Sequence, residues 1–408
     1  LFKYARMDLK DSRLQEIWLR LDSLKIPDWC FSNLHTLIVD GCHFLSDAVL
    51  PFYLLPLLPQ LETLVVQNCD FVKIIFDVKC LTQDTQMTTM GPLPFALKKL
   101  ILKRLPNLEN VWNAYPKETN LELTFPQVKS LALCDLPKLN YDMFKLFTHL
   151  EDLTLGEHEL KMILRGEFQG NHLNKLEVLA LSIEYDVFLQ RVPNIEKLEV
   201  CDGSFKKIFC FDSLNVDEAG LLSQLKVLCL DSLPELVSIG SEDSRIVPFL
   251  GNLETLLVIS FFSSIYLVPC TVSLSNLTYL QVESCNSLLY LFTSSTAKSL
   301  GQLKTMEISW CDSTEEIISK EGDESHENEI IFQQLNCLKL EELPNLRSLY
   351  KGSLSFPSLE ELSVIFCDRM ETLCAGKVKT DKLLEVKFER AEDAIPLEAD
   401  LNSAMQNR

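Results

Sequence analysis

Glycine is scarce, with 13 residues in 408. That excludes collagen-like and glycine-rich low-complexity chains. It also removes the phosphate loops, because no two glycines stand two residues apart and GxG is absent. The Gly376-Lys377 pair runs into Val378, where a phosphate loop needs Ser or Thr. Metal and nucleophile spacings are missing as well. None of the 14 cysteines forms a CxxC pair, and the six histidines are scattered. His158-Glu159 leads to Met162 where HExxH needs its second histidine, and Gly166 and Gly170 flank Phe168 where a nucleophile elbow needs serine. Acidic pairs such as Glu315-Glu316 read as solvated charge on turns. No enzyme activity, cofactor or metal is expected. Basic charge is short too. The 38 Lys and Arg against 58 Asp and Glu leave a net −20, which repels phosphate backbones and anionic membranes, so nucleic acid is not an expected partner.

Membrane and secretory signals are also lacking. Residues 255–282 carry no charge, but Pro269 and several Ser, Thr and Asn break the stretch, short of the roughly 20 apolar residues a span needs. The opening Leu1-Phe2-Lys3-Tyr4-Ala5-Arg6 has no apolar signal-peptide core. It has no starting Met either, which suggests a piece of a longer protein. Many cysteines without a secretory signal point to a reducing, cytoplasmic compartment. The sequon Asn276-Leu277-Thr278 places Leu277 at a core position and is read as chance.

What the chain does have is length and a repeat. A single layered core rarely grows past about 300 residues, so 408 residues mean two domains or a repeat array. The pattern L-x-x-L-x-L-x-x-(C or L) settles on the array. Clear copies are Leu61-Glu62-Thr63-Leu64-Val65-Val66-Gln67-Asn68-Cys69 and Leu359-Glu360-Glu361-Leu362-Ser363-Val364-Ile365-Phe366-Cys367. Copies start at Leu14, Leu34, Leu61, Leu97, Val128, Leu150, Leu176, Ile195, Leu225, Leu253, Leu277, Leu303, Leu335 and Leu359, with a degenerate one at Leu383. The mean step of about 26 residues lies inside the leucine-rich-repeat window. The expected fold is an α/β repeat solenoid: a horseshoe with a concave parallel β-sheet and an irregular or short-helical convex side. Residues 1–408 read as one domain of about 14 repeats over 14–390, followed by a tail over 391–408.

The ninth position sorts the repeats. Cys fills it at 42, 69, 285, 311 and 367, whereas Leu followed by Pro fills it at 105, 136, 233 and 343. One Cys per repeat at a fixed offset reads as a file of buried, reduced thiols rather than metal ligands. In the other kind, Pro stops the strand. Residues 77–94 and the acidic residues 320–329 interrupt the period. The second is either a solvated loop or an acidic docking loop.

In L-x-x-L-x-L-x the third, fifth and seventh residues face out from the sheet. Strands about 4.8 Å apart align them in columns. The columns give a basic cluster, Lys99, Ile101 and Lys103, with Lys98 and Arg104 beside it. Toward the other end they give Tyr279, Gln281, Glu283, Glu307, Lys339, Glu341 and Glu361, and Trp18 opens the first column. Two readings stay open. These are ordinary solvated strand residues, or they form a partner-binding face on which the lysines steer an acidic partner and Tyr279 anchors it.

The alternation of the two repeat kinds resembles the C-terminal leucine-rich-repeat region of plant coiled-coil, nucleotide-binding disease-resistance proteins. Ser275-Asn276-Leu277-Thr278-Tyr279-Leu280-Gln281-Val282-Glu283-Ser284-Cys285 with Leu288 and Leu291-Phe292 is one such unit, and Leu303 to Cys311 with Glu315-Glu316-Ile317-Ile318 is the next. The acidic insertion, Phe332, Leu335 and Leu338-Lys339-Leu340-Glu341-Glu342-Leu343-Pro344-Asn345-Leu346 follow in family order. Asp400-Leu401-Asn402-Ser403-Ala404-Met405-Gln406 is similar to the family's closing segment, although Pro396 and Leu397 stand where the family often has Trp. The resemblance covers residues 31–406. It implies recognition of a pathogen effector, a guarded host protein or the receptor's own nucleotide-binding domain, and restraint of a nucleotide switch that this chain does not contain. The alternative is the substrate adaptor of an F-box ubiquitin ligase, echoed by Cys42-His43-Phe44-Leu45-Ser46-Asp47 alone. An extracellular ectodomain would need Asn at position nine, many sequons and paired cap cysteines.

Overall fold

Side chains alternate along a strand, so the L-x-L step turns Leu64 and Val66 inward while Val65 and Gln67 face out. The computed structural model shows this alternation repeat after repeat, with Leu64 and Val66 fully buried. It describes residues 6–9, 31–45, 47–51, 54–77, 96–112, 127–147, 149–156, 158–159, 162, 176, 178–181, 194–201, 223–237, 239, 250–320, 329–383, 385–388, 394–396 and 401–402. The Leu14 repeat, Trp18 and most of both insertions lie outside them.

Two units divide the chain, Leu1–Leu181 and Ser182–Arg408. In the first, the strands Arg6–Asp8, Thr36–Asp40, Thr63–Gln67, Lys99–Lys103, Ser130–Cys134, Asp152–Leu155 and Val178–Leu181 lie parallel in chain order. In the second, the same holds for Lys197–Cys201, Val227–Asp231, Thr255–Ile259, Tyr279–Glu283, Thr305–Ser309, Cys337–Glu341, Glu361–Ile365 and Glu385–Phe388. Each unit is thus a stack of leucine-rich-repeat coils. The strand beside Thr36–Asp40 is Arg6–Asp8, which the leucine template missed because it counts back to Tyr4 rather than to an aliphatic marker. Inward apolar residues repeat in register, as at Leu256, Leu280, Met306, Leu338 and Leu362. Each buried aliphatic side chain contributes about 1.5–3 kcal/mol, collected only when coils stack.

Backbone bonds fix entry and exit of each strand. At entry, Glu62 and Thr63 both donate to His35 O at 2.9 Å, and Lys98 and Lys99 both donate to Glu62 O. At exit, position eight adopts the left-handed region in both repeat kinds: Gly41, Asn68, Arg104, Asp135, Ser232, Ser260, Ser284, Trp310, Glu342 and Phe366 all have φ between 51 and 64°. Its amide then reaches the next strand's seventh carbonyl, as Asn68 N to Lys103 O at 3.1 Å. The strand therefore turns one residue earlier than the Cys or Leu-Pro reading placed it, and Pro106 or Pro344 comes only after the turn has begun. The thiols serve that turn. Cys69 Sγ donates to Gln67 O at 3.2 Å and Cys285 Sγ to Glu283 O at 3.2 Å, adding a small, weak donor to a carbonyl that already accepts the preceding strand's position-eight amide. All five ninth-position cysteines are buried and unpaired in disulfides.

The return paths are more ordered than the sequence suggests. Among the described residues they hold three short parallel sheets: Ala48–Leu50 with Ile74–Phe76 and Asn110–Trp112; Phe292–Thr293 with Glu316–Ser319 and Ser348–Tyr350; and Glu329–Ile331 with Ser353–Phe356 and Val378–Thr380. A one-turn helix, Ser294–Lys298, follows Phe292–Thr293 directly. Phe332 and Phe356 stack at 5.4 Å beneath. The stack ends in an antiparallel strand, Ala394–Pro396, whose proline suits an edge. On the return path the Asn402 amide bonds the backbone of the coil before it: Leu373 N donates to Asn402 Oδ1 at 2.9 Å, and Asn402 Nδ2 donates to Cys374 O at 3.1 Å.

Candidate functional site

The open face of the main sheet carries positions three, five and seven. In the first unit, Lys99 is exposed and Ile101 and Lys103 are half-buried on one strand. Lys98, at position two, is drawn into an ion pair with Glu62 at 2.7 Å, and Lys129 pairs likewise with Glu151. Among the described residues no ion pair is made by Lys99 or Lys103. They flank a stripe that the sequence reading overlooked. Fifth-position neighbours Ile38, Val65, Ile101 and Ala132 are in register and apolar, and the first three are half-exposed. The signal was present in every motif, at the residue between the two inward ones.

In the second unit, the structure brings Tyr279, Gln281, Glu283, Glu307 and Lys339 into one hydrogen-bonded lattice. Tyr279 Oη donates to Glu307 Oε2 at 2.8 Å, and Lys339 Nζ donates to Glu307 Oε1 at 2.9 Å. Gln281 Nε2 donates to Glu283 Oε2 at 3.0 Å, and Gln281 Oε1 lies 3.2 Å from Tyr279 Oη. Glu361 belongs to a neighbouring group, accepting from Cys337 Sγ at 3.4 Å and Lys387 Nζ at 3.3 Å. Glu341 is exposed, outside both groups.

Titration follows this geometry. Burial alone pushes the Glu307 carboxyl up, but hydrogen bonds from Lys339 and Tyr279 outweigh it, and it ends below the ordinary carboxylate value. Glu361 behaves alike: burial opposes, Lys387 and Cys337 prevail, and the carboxyl is lowered. Lys339 is raised, chiefly by its bond to Glu307. Burial and then Glu307 push Tyr279 up to about 12. Burial and then Glu361 push the Cys337 thiol up to about 11. This face is charged and cross-linked by its own hydrogen bonds. Half-buried Cys201, Cys229 and Cys337 also sit on it, and half-buried Cys134 sits on the open face of the first unit, all outside the ninth-position file. Among the described residues, no group of three His, Cys, Asp or Glu is placed to hold a metal.

Known proteins share these repeats. The family model described as plant disease resistance protein RPS2-like, leucine-rich repeats, matches residues 3–146 and 270–387, well over half of the chain. The probable disease resistance protein At5g47260 of Arabidopsis thaliana is 27% identical over 292 residues, covering 70% of this chain and 28% of that protein. Disease resistance protein RPS5 of the same plant is 27% identical over 277 residues, 59% of this chain and 29% of that protein. The chain thus spans under a third of the length of these relatives. A crystal structure of an internalin from Listeria monocytogenes overlays with a TM-score of 0.34 at 13% identity, over 80% of this chain and 94% of that one.

Proposed function

Since the chain belongs to the RPS2-like leucine-rich-repeat family of plant disease resistance proteins, we propose that it is the recognition and autoregulatory region of a cytoplasmic immune receptor, acting by protein–protein contact and without catalysis. The observation that carries this reading is the open face. A uniform set of inward leucines supports outward columns whose residues change from repeat to repeat, which is how a rigid scaffold presents a specific surface. The partner is a pathogen effector, a guarded host protein or a nucleotide-binding domain of the receptor itself. Lys99, Ile101 and Lys103 offer it an apolar strip with flanking positive charge, and Tyr279 with Glu307 and Lys339 a pre-ordered polar patch. Trp18 remains a candidate on sequence alone. No helix among the described residues is long and apolar enough to cross a membrane. The F-box adaptor alternative is not favoured by the family match. The reading also takes residues 1–408 as one repeat domain, because markers Leu176 and Ile195 continue the pattern between the units. Separately expressed halves should each melt below the whole chain.

The test is differential capture from plant leaf extract. Wild-type chain is compared with Lys99→Glu/Lys103→Glu and Tyr279→Ala/Lys339→Glu, and with Lys351→Glu on the return path as control. Partners lost by the open-face variants and kept by the control support the proposal. Partners kept by both open-face variants and lost by the control move recognition to the return side.

A further inference from the structure

The strand ends of the second unit hold a feature that the open-face columns do not explain. Position eight needs the left-handed backbone region, which suits Gly, Asn and Asp and is least comfortable for a bulky side chain. Trp310 and Phe366 occupy it, each with φ of 51°. They are also 47% and 49% exposed. Neither backbone preference nor core burial accounts for two large rings there.

Their surroundings supply a reason. Glu342, also left-handed, lies on the strand between them: Trp310 N donates to Glu341 O at 3.0 Å, and Glu342 N donates to Ile365 O at 2.9 Å. Strands about 4.8 Å apart set the two ring positions roughly 10 Å from each other with a carboxylate between. Exposed Glu341 precedes Glu342, and Glu283 ends the strand before Trp310. At positions seven and eight of these four strands there are three carboxylates, two rings and no cation. Lys339, two positions back from Glu341, is held by Glu307, and Arg369, in the turn after Phe366, donates to Asn345 Oδ1 at 2.8 Å.

We propose that Trp310, Glu342 and Phe366 form a clamp for an arginine-bearing segment of a partner protein, with Glu341 and Glu283 extending the acidic rim. A guanidinium bound at the carboxylate has an exposed aromatic residue on either side. Cation–π attraction and a charge-assisted hydrogen bond then act on the same group. Its planar, weakly hydrated cation suits ring stacking better than a lysine ammonium does. The polarity is opposite to that of Lys99 and Lys103, so the clamp stands whether or not that cluster binds anything.

The test titrates the whole chain with fluorescent octa-arginine and octa-lysine peptides at physiological salt, followed by anisotropy. Octa-arginine should bind the tighter of the two. Trp310→Asn/Phe366→Asn should weaken octa-arginine by about tenfold or more. The same variant should melt at or above the wild-type temperature, because asparagine tolerates the left-handed region. Glu342→Gln should weaken binding with both rings intact, whereas Glu62→Gln, the same charge change in the first unit, should not. Unchanged affinity in the double variant overturns the proposal, and so does equal loss with Glu62→Gln, which would make net charge the cause. If the asparagine variants unfold, Glu342→Gln decides alone: unchanged affinity there overturns it.

Discussion

The open faces of the two units are built on the same inward residues and differ in nearly everything that faces out. In the first, the fifth-position column reads Asp8, Ile38, Val65, Ile101, Ala132, Thr154, Ala180, with an apolar run from Ile38 to Ala132. In the second it reads Glu199, Cys229, Leu257, Gln281, Glu307, Lys339, Ser363, Lys387, polar from Gln281 onward. Behind both columns stand buried leucines and valines in the same register. The difference teaches that the inward half of the motif specifies the coil and the outward half carries no folding instruction. Position eight lies between the two: its left-handed backbone favours Gly, Asn and Asp, yet Arg104, Trp310, Glu342 and Phe366 occupy it.

Thiol reactivity gives the largest contrast. The hydrogen bond to Cys69 and then burial hold Cys42 well above the ordinary thiol range, and the bond to Cys311 and then burial do the same for Cys285. The ninth-position cysteines of both units should label alike, roughly a thousandfold or more slower than exposed Cys270, and only when the coil opens. Half-buried Cys134, Cys229 and Cys337 should fall between, their thiolates disfavoured but accessible. Rapid native labelling of Cys69 or Cys285, read by mass spectrometry, would show that the file is not core. Next in size is truncation of the shared scaffold. Leu64→Ala and Leu280→Ala remove fully buried side chains at one position in different units, and each should cost about 2–5 kcal/mol in urea unfolding. Val65→Ala and Gln281→Ala, their outward neighbours, should cost far less. If Val65→Ala matches Leu64→Ala, the apolar stripe belongs to the core and not to a contact surface.

The repeat step, the strand direction and the inward set were legible because burial imposes a strict alternation that any stretch of Leu, Val or Ile at positions one, four and six displays. Three things were not. The turn at position eight was hidden because Arg104, Glu342, Trp310 and Phe366 share a conformation normally flagged by Gly or Asn. The first strand was missed because Met7 and Leu9 follow Tyr4 rather than a leucine. The polar lattice was visible only as separate column residues. The sequence placed Tyr279, Glu307 and Lys339 on neighbouring strands, but their bonds depend on side-chain reach across the sheet. Glu361 was grouped with them, and the structure gives it to Cys337 and Lys387 instead.

A smaller effect separates left-handed positions that are supported from those that are not. Asn68 tolerates the conformation and also donates from Nδ2 to Asp40 Oδ1 at 2.6 Å. Asn68→Ala loses both and should destabilise by about 1–2 kcal/mol. Asn68→Gly loses only the bond and should cost less. Equal costs would mean that the side-chain bond, not the backbone, holds the turn.

The smallest effect tests whether the second unit's lattice is pre-ordered in a way the first unit's surface pairs are not. Glu307 is lowered, so the stability it contributes is present above the ordinary carboxylate value and is lost as pH falls through its folded value. Lys339 and Tyr279 are raised. Their contribution is present below the ordinary values of 10.5 and 10.0 and is lost as pH rises through the folded ones. Glu307→Gln should therefore cost under about 1 kcal/mol near neutral pH, because Lys339 keeps much of its surface in water. That cost should shrink as the solution is acidified, measured by urea midpoints at several pH values. Glu62→Gln, which breaks the exposed pair with Lys98, should leave the midpoint where it was. A Glu307→Gln penalty that stays constant down to acid pH would assign the effect to packing of the side chain. A penalty equal to that of Glu62→Gln would make the lattice no more ordered than an ordinary surface pair.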